Sequence, residues 1–367
     1  MLGRLFKYGG VLYGLFHACI VWAVQSSILE TLPAAEVYRR ACAACHGPDG
    51  RGYPGGEWRE RTALKVPPPD FTDPKFSSRE PLADWITVIR EGGPSRGLSS
   101  QMPAYGLVLS DHKIHELATF IKTFGHDPRY PQGELNFLRA LVTTKAFPED
   151  EFILIYRYDR LRPTEDVPYR IRPTVYYARR FGPDGQIEVK ATPEIEPQST
   201  RTPWELEIGL KWSLIHDLHR LWILTIGAET AIPVRSEEPI RIAPYVAMGK
   251  ALGDRWTLQT SVHLMLSTRP TDVPSQLRVA AIVHWLPMES LRGLFPGLEV
   301  FIQRDLGAGH EFQVWLAPQL RITLTRRGHV ALTVGPVWEL THTREIRYRI
   351  HAFLLWEYVD GPFWKGW

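Results

Sequence analysis

Two cysteines and a histidine lie within one short segment near the start of the sequence, Cys42-Ala43-Ala44-Cys45-His46. Two thiols three positions apart can add to the two vinyl groups of one haem, and the adjacent histidine then falls beneath the iron as its proximal ligand. The spacing therefore predicts one covalently bound haem c, attached through Cys42 and Cys45, with His46 as an axial ligand of the iron.

Two other uses of paired cysteines fit the sequence less well. A zinc site needs further ligands at suitable spacing, but the one remaining cysteine, Cys19, lies in an N-terminal apolar stretch. A thioredoxin-like redox pair needs a βαβ context, whereas a loop rich in proline and glycine follows His46. Haem attachment is the interpretation that both observations favour.

The second axial ligand is predicted to be Met102, the single methionine of the expected haem domain, in Gln101-Met102-Pro103. Ligation by methionine and histidine raises the reduction potential and fills the coordination sphere, which favours electron transfer over oxygen chemistry. Met102 could instead only pack against the haem edge. His112 and His115 are rival ligands, although their positions predict solvent exposure on the last helix of the domain.

Three helices are expected to hold this site, over residues 34–43, 81–92 and 110–124. The second has proline at its start and glycine at its end, and Ser110 is the predicted N-cap of the third. Between the first two helices, the proline run in residues 66–71 cannot be helical. We expect that run to wall one edge of the haem.

Residues 33–125 resemble the single-haem class I cytochromes c, and in particular the c-type domains of cbb3 oxidase subunits. The resemblance covers about a quarter of the chain and rests on five segments in the expected order: CAACHG, PPPDFTDPKF, the EGG turn, QMPAY and LSDHKIHELATFIKTF. It implies an all-α electron carrier whose haem is ligated by His46 and Met102. It does not imply that the protein belongs to an oxidase.

Residues 1–27 are predicted to be a signal peptide. Arg4 and Lys7 precede the apolar run VLYGLFHACIVWAV, and small polar residues follow it. The alternative is a retained membrane anchor, and Cys19 matches the lipoprotein pattern poorly. After the haem domain, residues 126–150 are predicted to be a connector with a short apolar helix from Leu135 to Phe147.

From residue 151 the hydrophobic period changes from that of helices to two, the period of strands. In residues 256–266, for example, tryptophan, leucine, threonine and valine alternate with threonine, glutamine, serine and histidine. Twelve such segments are expected, near 152–158, 171–179, 186–195, 204–214, 221–232, 241–249, 255–266, 276–286, 298–304, 311–324, 330–340 and 346–358. An even number of long strands, apolar outside and polar inside, predicts a transmembrane antiparallel β-barrel over residues 151–367.

Aromatic and charged residues support this interpretation. Seven tryptophans near strand ends are candidates for an interfacial girdle: Trp204, Trp222, Trp256, Trp285, Trp315, Trp338 and Trp356. Charged residues at mid-strand positions suit a wet lumen: Glu207, Lys211, Arg278, Arg321, Glu339 and Arg349. A soluble β-sandwich would also alternate, but it would not need these charges. The region resembles, more loosely, transporter-like outer-membrane barrels of Gram-negative bacteria, through WELEIGLKWSLI and APYVAMGKALGD.

The expected fold is thus multidomain, an all-α cytochrome c domain followed by a barrel of about twelve strands. We expect an electron carrier, and not an enzyme, in the outer membrane of a Gram-negative-type bacterium, with its haem domain facing the periplasm. The hydrocarbon core of about 30 Å is too thick for one haem to cross. A periplasmic donor and a further redox partner, such as another cytochrome, are therefore expected besides outer-membrane lipid.

Two other function classes stay open. In the first, the barrel is a porin or transporter whose haem domain plugs, gates or senses; the lumen-face residues Arg321, Arg347, Arg349 and His351 would then favour anionic solutes. In the second, the haem serves an enzyme such as a peroxidase, against which Met102 argues. A net charge of +3 gives no reason to expect nucleic acid as a partner.

Overall fold

The computed structural model describes residues 28–163, 167–197, 199, 202–234, 237–287, 293–307, 312–341 and 346–365. The predicted signal peptide lies outside these residues. The chain divides into two compact units, Met1–Asp127 and Pro128–Trp367. No helix within the described residues is long and apolar enough to cross a membrane.

The first unit is helical. Its helices are α1 Ala34–Ala41, α2 Ala43–His46, α3 Trp58–Arg61, α4 Pro74–Ser77, α5 Leu82–Glu91 and α6 Asp111–Thr123, with 3-10 turns at Pro54–Gly56 and Gly93–Arg96. Helices α1 and α5 both pack against α6, which buries one stripe of apolar side chains, Ile114, Leu117, Ala118 and Ile121. The three predicted long helices are present.

Local signals set the ends of these helices. Ser110 caps α6, and its side chain accepts a hydrogen bond from the backbone N–H of Lys113 at 3.2 Å. Helix α5 follows Pro81 and ends at Gly92, whose φ of +80° is a left-handed conformation that glycine adopts without strain. These ends fix where the segments between the helices begin.

The second unit is a closed barrel of twelve antiparallel strands, each paired with its neighbours in sequence, while the first pairs with the last. The strands are β1 Glu151–Leu161, β2 Tyr169–Phe181, β3 Gly185–Pro193, β4 Trp204–Asp217, β5 Trp222–Val234, β6 Arg241–Ala251, β7 Trp256–Ser267, β8 Gln276–Trp285, β9 Leu294–Asp305, β10 Gln313–Thr323, β11 Val330–Glu339 and β12 Ile346–Trp356. The predicted number, order and approximate bounds of the strands are confirmed. We call the end where β1 begins and β12 finishes the near end, and the opposite one the far end.

Burial along the strands is the reverse of that in a soluble protein. On β7, the apolar Val262 and Leu266 face outward, each 42% exposed, whereas the polar Gln259 and Ser261 face inward and are 1% exposed. The same alternation holds on the other strands, so the barrel has an apolar outer surface and a polar lumen. A closed sheet with this arrangement suits a hydrocarbon solvent.

One of the seven predicted girdle residues, Trp315, points the other way. It faces the lumen, is 4% exposed, and stacks on Phe301 of β9 with the ring centroids 5.7 Å apart. Trp256 and Trp285, in contrast, face outward as a pair at the near end, with centroids 6.3 Å apart. The period of two along β10 places Trp315 on the same face as the inward residues Gln313 and Gln319. Its position near a strand end alone does not indicate this direction.

The predicted connector helix is wrong. Residues 136–150 form no helix, and only a 3-10 turn, Gly133–Leu135, precedes them. This stretch belongs to the barrel unit and lies inside the lumen, where most of its side chains are buried. We call residues 133–150 the lumen segment. Its hydrogen bonds go to inward-facing strand residues, which replace the bonds a helix would have made.

The lumen segment enters and leaves at the near end. Phe137 packs on Gly249, two residues from the end of β6, and the segment ends where β1 begins. At mid-barrel, the backbone N–H groups of Val142 and Thr143 donate to the carboxylate of Glu299. Residues 133–150 therefore fold as a loop that fills the near half of the lumen.

Candidate haem site

The Cys-x-x-Cys-His residues sit on one turn of helix. Cys42 joins α1 to α2, and the backbone N–H of His46 donates to the carbonyl of Cys42 at 3.0 Å. Residues four apart on a helix face the same side, so His46 and the first thiol share a face. The Cys42 thiol is buried and the Cys45 thiol is half-buried, and both are free. This arrangement suits two thioether bonds beside one iron ligand.

His46 is prepared to act as a neutral ligand. Burial lowers the pKa of its imidazole to about 4, so a nitrogen lone pair is available at neutral pH. Its Nδ1 is buried and has no hydrogen-bond partner among the described residues. The ring stacks on Phe71, with centroids 4.7 Å apart and planes 20° from parallel. Phe71 comes from the proline-rich run predicted to wall the haem.

Burial also suppresses ionisation of the neighbouring groups. Desolvation, with a smaller contribution from Cys45, raises the pKa of the Cys42 thiol to about 12. Desolvation likewise raises the pKa of Tyr105 to about 12. The surroundings of the motif are therefore apolar, as the face of a haem requires.

The loop that carries Met102 is held against the motif by its own backbone. The N–H of Gly93 donates to the Met102 carbonyl at 3.0 Å, and the N–H of Tyr105 donates to the Ile89 carbonyl at 2.9 Å. The Tyr105 hydroxyl then donates to the Ala41 carbonyl at 2.8 Å, one residue before Cys42. These bonds tie the Met102 loop to both α5 and the turn that bears the cysteines.

The side chain of Gln101 fixes the other side of the loop. Its Nε2 donates to the Ala63 carbonyl at 2.9 Å, and its Oε1 accepts from the Lys65 N–H at 2.6 Å. The predicted rivals of Met102, His112 and His115, lie on the exposed face of α6. The packing thus orders the Met102 loop and leaves both histidines in solvent.

Gly93 leaves no room for a side chain behind Met102. A Cβ placed there would lie 2.3 Å from the Ser99 carbonyl oxygen and 3.0 Å from the Met102 Cβ. We expect Gly93→Ala to displace the loop and weaken the iron–sulfur bond, at a cost of about 1–3 kcal/mol for the forced overpacking. The absorption band of sulfur–iron ligation should become weaker or pH-sensitive. Gly55→Ala is the control, because its φ of +72° adds backbone strain while a Cβ there meets nothing within 4 Å, so no neighbour is displaced. Equal spectra for the two variants would contradict this role of Gly93.

The donor set fits a c-type haem. It comprises two free thiols and a neutral imidazole on one helical turn, with a thioether on an adjoining ordered loop. Like Nδ1 of His46, the buried Nε1 of Trp85 on α5 has no hydrogen-bond partner within the described part of the chain. The sequence predicts two attachment residues, two iron ligands and a wall that includes Phe71. It does not predict the placement of Trp85 and Tyr105, because their roles depend on packing between elements.

Comparison with known proteins agrees with this description. Residues 30–121 match the family described as cytochrome c oxidase, cbb3-type, subunit III. A search of curated proteins found no match.

Among solved structures, the KdgM porin aligns with 55% of this chain and 97% of its own, at 8% identity and a TM-score of 0.39. The NanC porin aligns with 56% of this chain and 97% of its own, at 8% identity and a TM-score of 0.42. The outer membrane phospholipase A from Escherichia coli aligns with 61% and 95%, at 12% identity and a TM-score of 0.36. The chain joins a c-type cytochrome domain similar to the cbb3-type subunit III, over residues 30–121, to a closed antiparallel barrel of twelve strands.

Proposed function

We propose that this protein is an electron carrier of the outer membrane, in which the barrel is the anchor and the cytochrome domain carries the redox centre on the periplasmic side. The observation that carries the proposal is the apolar outer face of a closed barrel, in the same chain as a partly buried Cys-x-x-Cys-His turn. When bound, the haem supplies a one-electron iron couple.

The residues around the site would tune and protect that couple. Cys42 and Cys45 would hold the group covalently, and His46 and Met102 would ligate its iron. Phe71, stacked on His46, keeps water from the imidazole. With a histidine and a methionine ligand the iron would have no open coordination position, and this donor set would favour electron transfer over peroxidase chemistry.

The apolar outer surface of the barrel supports its role as a membrane anchor. Exposed apolar residues occur on nearly every strand, among them Leu154, Val175, Ile208, Ile242 and Leu298, each more than 40% exposed. Burial of apolar surface is worth about 25 cal/mol per Å², so this face would be unstable in water and is stabilised by lipid. Because the number of strands is even, the start of β1 and the end of β12 lie on the same side of the barrel. In outer-membrane barrels that side is the periplasm.

The lumen segment weighs against an open porin. Residues 133–150 fill the near half of the lumen and are held by buried hydrogen bonds. Solute flux would require this loop to leave. Electrons would therefore pass between a periplasmic donor and a further redox partner, such as another cytochrome at the outer membrane, and not accompany a solute through the barrel.

Membrane fractionation with haem staining tests the proposal. We expect covalent haem in the outer-membrane fraction, in a band whose electrophoretic mobility shifts when the detergent sample is heated, because a folded barrel unfolds on heating. The control is the Cys42→Ala, Cys45→Ala variant, which should keep the heat-shifted band and lose the haem stain. Haem confined to the soluble periplasm would refute the membrane anchor. Rapid peroxide turnover by the purified protein would favour the enzyme instead.

A further inference from the structure

Several arginines face the lumen on the side of the far end. Arg157 of β1, Arg172 of β2 and Arg349 of β12 face inward from three neighbouring strands. Arg278 faces inward from β8, five strands further round the barrel from β1. Arg157 lies within electrostatic range of the other three, and Arg278 lies within range of Arg349 and of the carboxylates of Glu207 and Glu229. We call these four residues the arginine cluster.

Carboxylates neutralise only part of the cluster. Asp159, which is completely buried, accepts from Arg172 Nη1 at 3.0 Å and from Arg349 Nη2 at 2.9 Å. Glu194 accepts from Arg172 Nε. Arg172 and Arg349 are thus each paired with a carboxylate.

The other two arginines have no such partner. Arg157 forms no ion pair with any described residue, and its Nε is buried without a hydrogen bond. Among the described residues, Arg278 donates only to the neutral side chain of Gln303, at 3.3 Å from Nε and 3.2 Å from Nη2. Within the described part of the chain, only Asp159 and Glu194 form ion pairs with the cluster, and Glu207 and Glu229 act on Arg278 from beyond ion-pair distance.

The strand register makes this arrangement costly without a counter-charge. Arg157 lies directly opposite Arg172 on one side and opposite His351 on the other. Like charges at directly opposed positions destabilise a sheet, and an uncompensated buried charge costs several kcal/mol. His351 is 7% exposed, and its Nδ1 also lacks a hydrogen-bond partner among the described residues. Arg157 and His351, which lie opposite each other on β1 and β12, thus lack a counter-charge and a hydrogen-bond partner, respectively, among the described residues.

We infer that the arginine cluster is a binding site for a small oxyanion, a solute bearing a carboxylate, sulfate or phosphate group. Such a group matches the planar fork of a guanidinium, accepts two parallel hydrogen bonds from it, and would compensate Arg157 and Arg278 together. The ligand enters from the far end, because the lumen segment fills the near half. Lipid head groups are not the source, since the closed sheet leaves no lateral opening.

Equilibrium dialysis of the full-length, haem-loaded protein in detergent with radiolabelled sulfate tests this site. The haem absorbance gives the protein concentration, so the number of sulfate ions bound per chain follows directly. We expect saturable binding of one sulfate per chain, displaced by unlabelled phosphate and by small carboxylates. Arg157→Gln and Arg278→Gln should each weaken binding at least tenfold. Arg220→Gln, on an exposed turn beside Asp217, removes the same charge outside the lumen and should bind like the unaltered protein.

Each alternative outcome is decisive. Non-saturable binding by the unaltered protein, or equal loss in the Arg220→Gln control, would overturn the site. If Arg157→Gln fails to give the heat-shifted band of a folded barrel, Arg157→Lys replaces it, because lysine keeps the charge and loses the fork. An affinity for sulfate in Arg157→Lys that lies between those of the unaltered protein and Arg278→Gln supports the site, and an unchanged affinity contradicts the role of the guanidinium.

Discussion

Met102→Ala is expected to abolish the sulfur–iron absorption band and to lower the reduction potential by on the order of 100 mV or more, since axial ligands set haem potentials over about 0.8 V. The reason lies in the order of the loop. Backbone bonds to Gly93 and Ile89, and the Tyr105 bond to Ala41, hold it against α5 and the cysteine turn. No other methionine occurs in this helical unit beyond the predicted signal peptide.

Visible spectroscopy and a redox titration of the purified protein measure the two effects. Met248→Ala is the matched control, because Met248 lies on the outward face of β6 and the substitution should leave both readings unchanged. An unaltered spectrum in Met102→Ala would rule out Met102 as the ligand. That result would not by itself make His112 or His115 the iron ligand, because both side chains are exposed on α6.

Much of this molecule follows from local sequence patterns. The Cys-x-x-Cys-His spacing predicts the attachment site, and Ser110 and Gly92 mark helix ends that the structure reproduces. The period of two gives all twelve strands, because the side chains of a strand in lipid must alternate between hydrocarbon and lumen. In each of these cases the physical constraint acts between residues close in sequence.

The predictions that were wrong concern residues whose contact partners are distant in sequence. Leu135 to Phe147 is apolar enough to suggest a helix, but its backbone finds partners across the lumen instead. The carbonyl of Leu138 accepts from Gln259, and that of Ala146 accepts from Thr225. The inward direction of Trp315 follows from the period of β10, but its stacking on Phe301 depends on the pairing of β9 with β10. No local pattern encodes such contacts.

The lumen segment is anchored by two fully buried charged residues of opposite sign. Glu299, 0% exposed, accepts from the Val142 and Thr143 N–H groups and from the Thr143 hydroxyl. Lys211, 1% exposed, donates to the carbonyls of Lys145 and Phe147 at 3.0 Å each. The segment thus depends on side chains of the barrel wall, since it has no secondary structure beyond its first turn to satisfy its own backbone.

Combined Glu299→Ala and Lys211→Met substitutions are therefore expected to release the segment and open the lumen. Each buried backbone group left without its partner costs about 1–3 kcal/mol of stability, and the two substitutions together leave four such groups without a partner. In planar bilayers, the unaltered protein should be nearly silent, and the double variant should show intermittent single-channel currents. Conductance is the appropriate readout because haem content and spectrum should not change.

Asp217→Ala with Lys250→Met is the matched control, since it removes one charge of each sign near the turn that joins β4 to β5, outside the lumen. This pair should stay as silent as the unaltered protein. Steady current through the unaltered protein would mean that residues 133–150 do not seal the barrel, and would revive the porin alternative. A silent Glu299→Ala, Lys211→Met variant that still gives the heat-shifted band would show that the remaining contacts, such as Gln259 with Leu138, suffice to hold the segment in place.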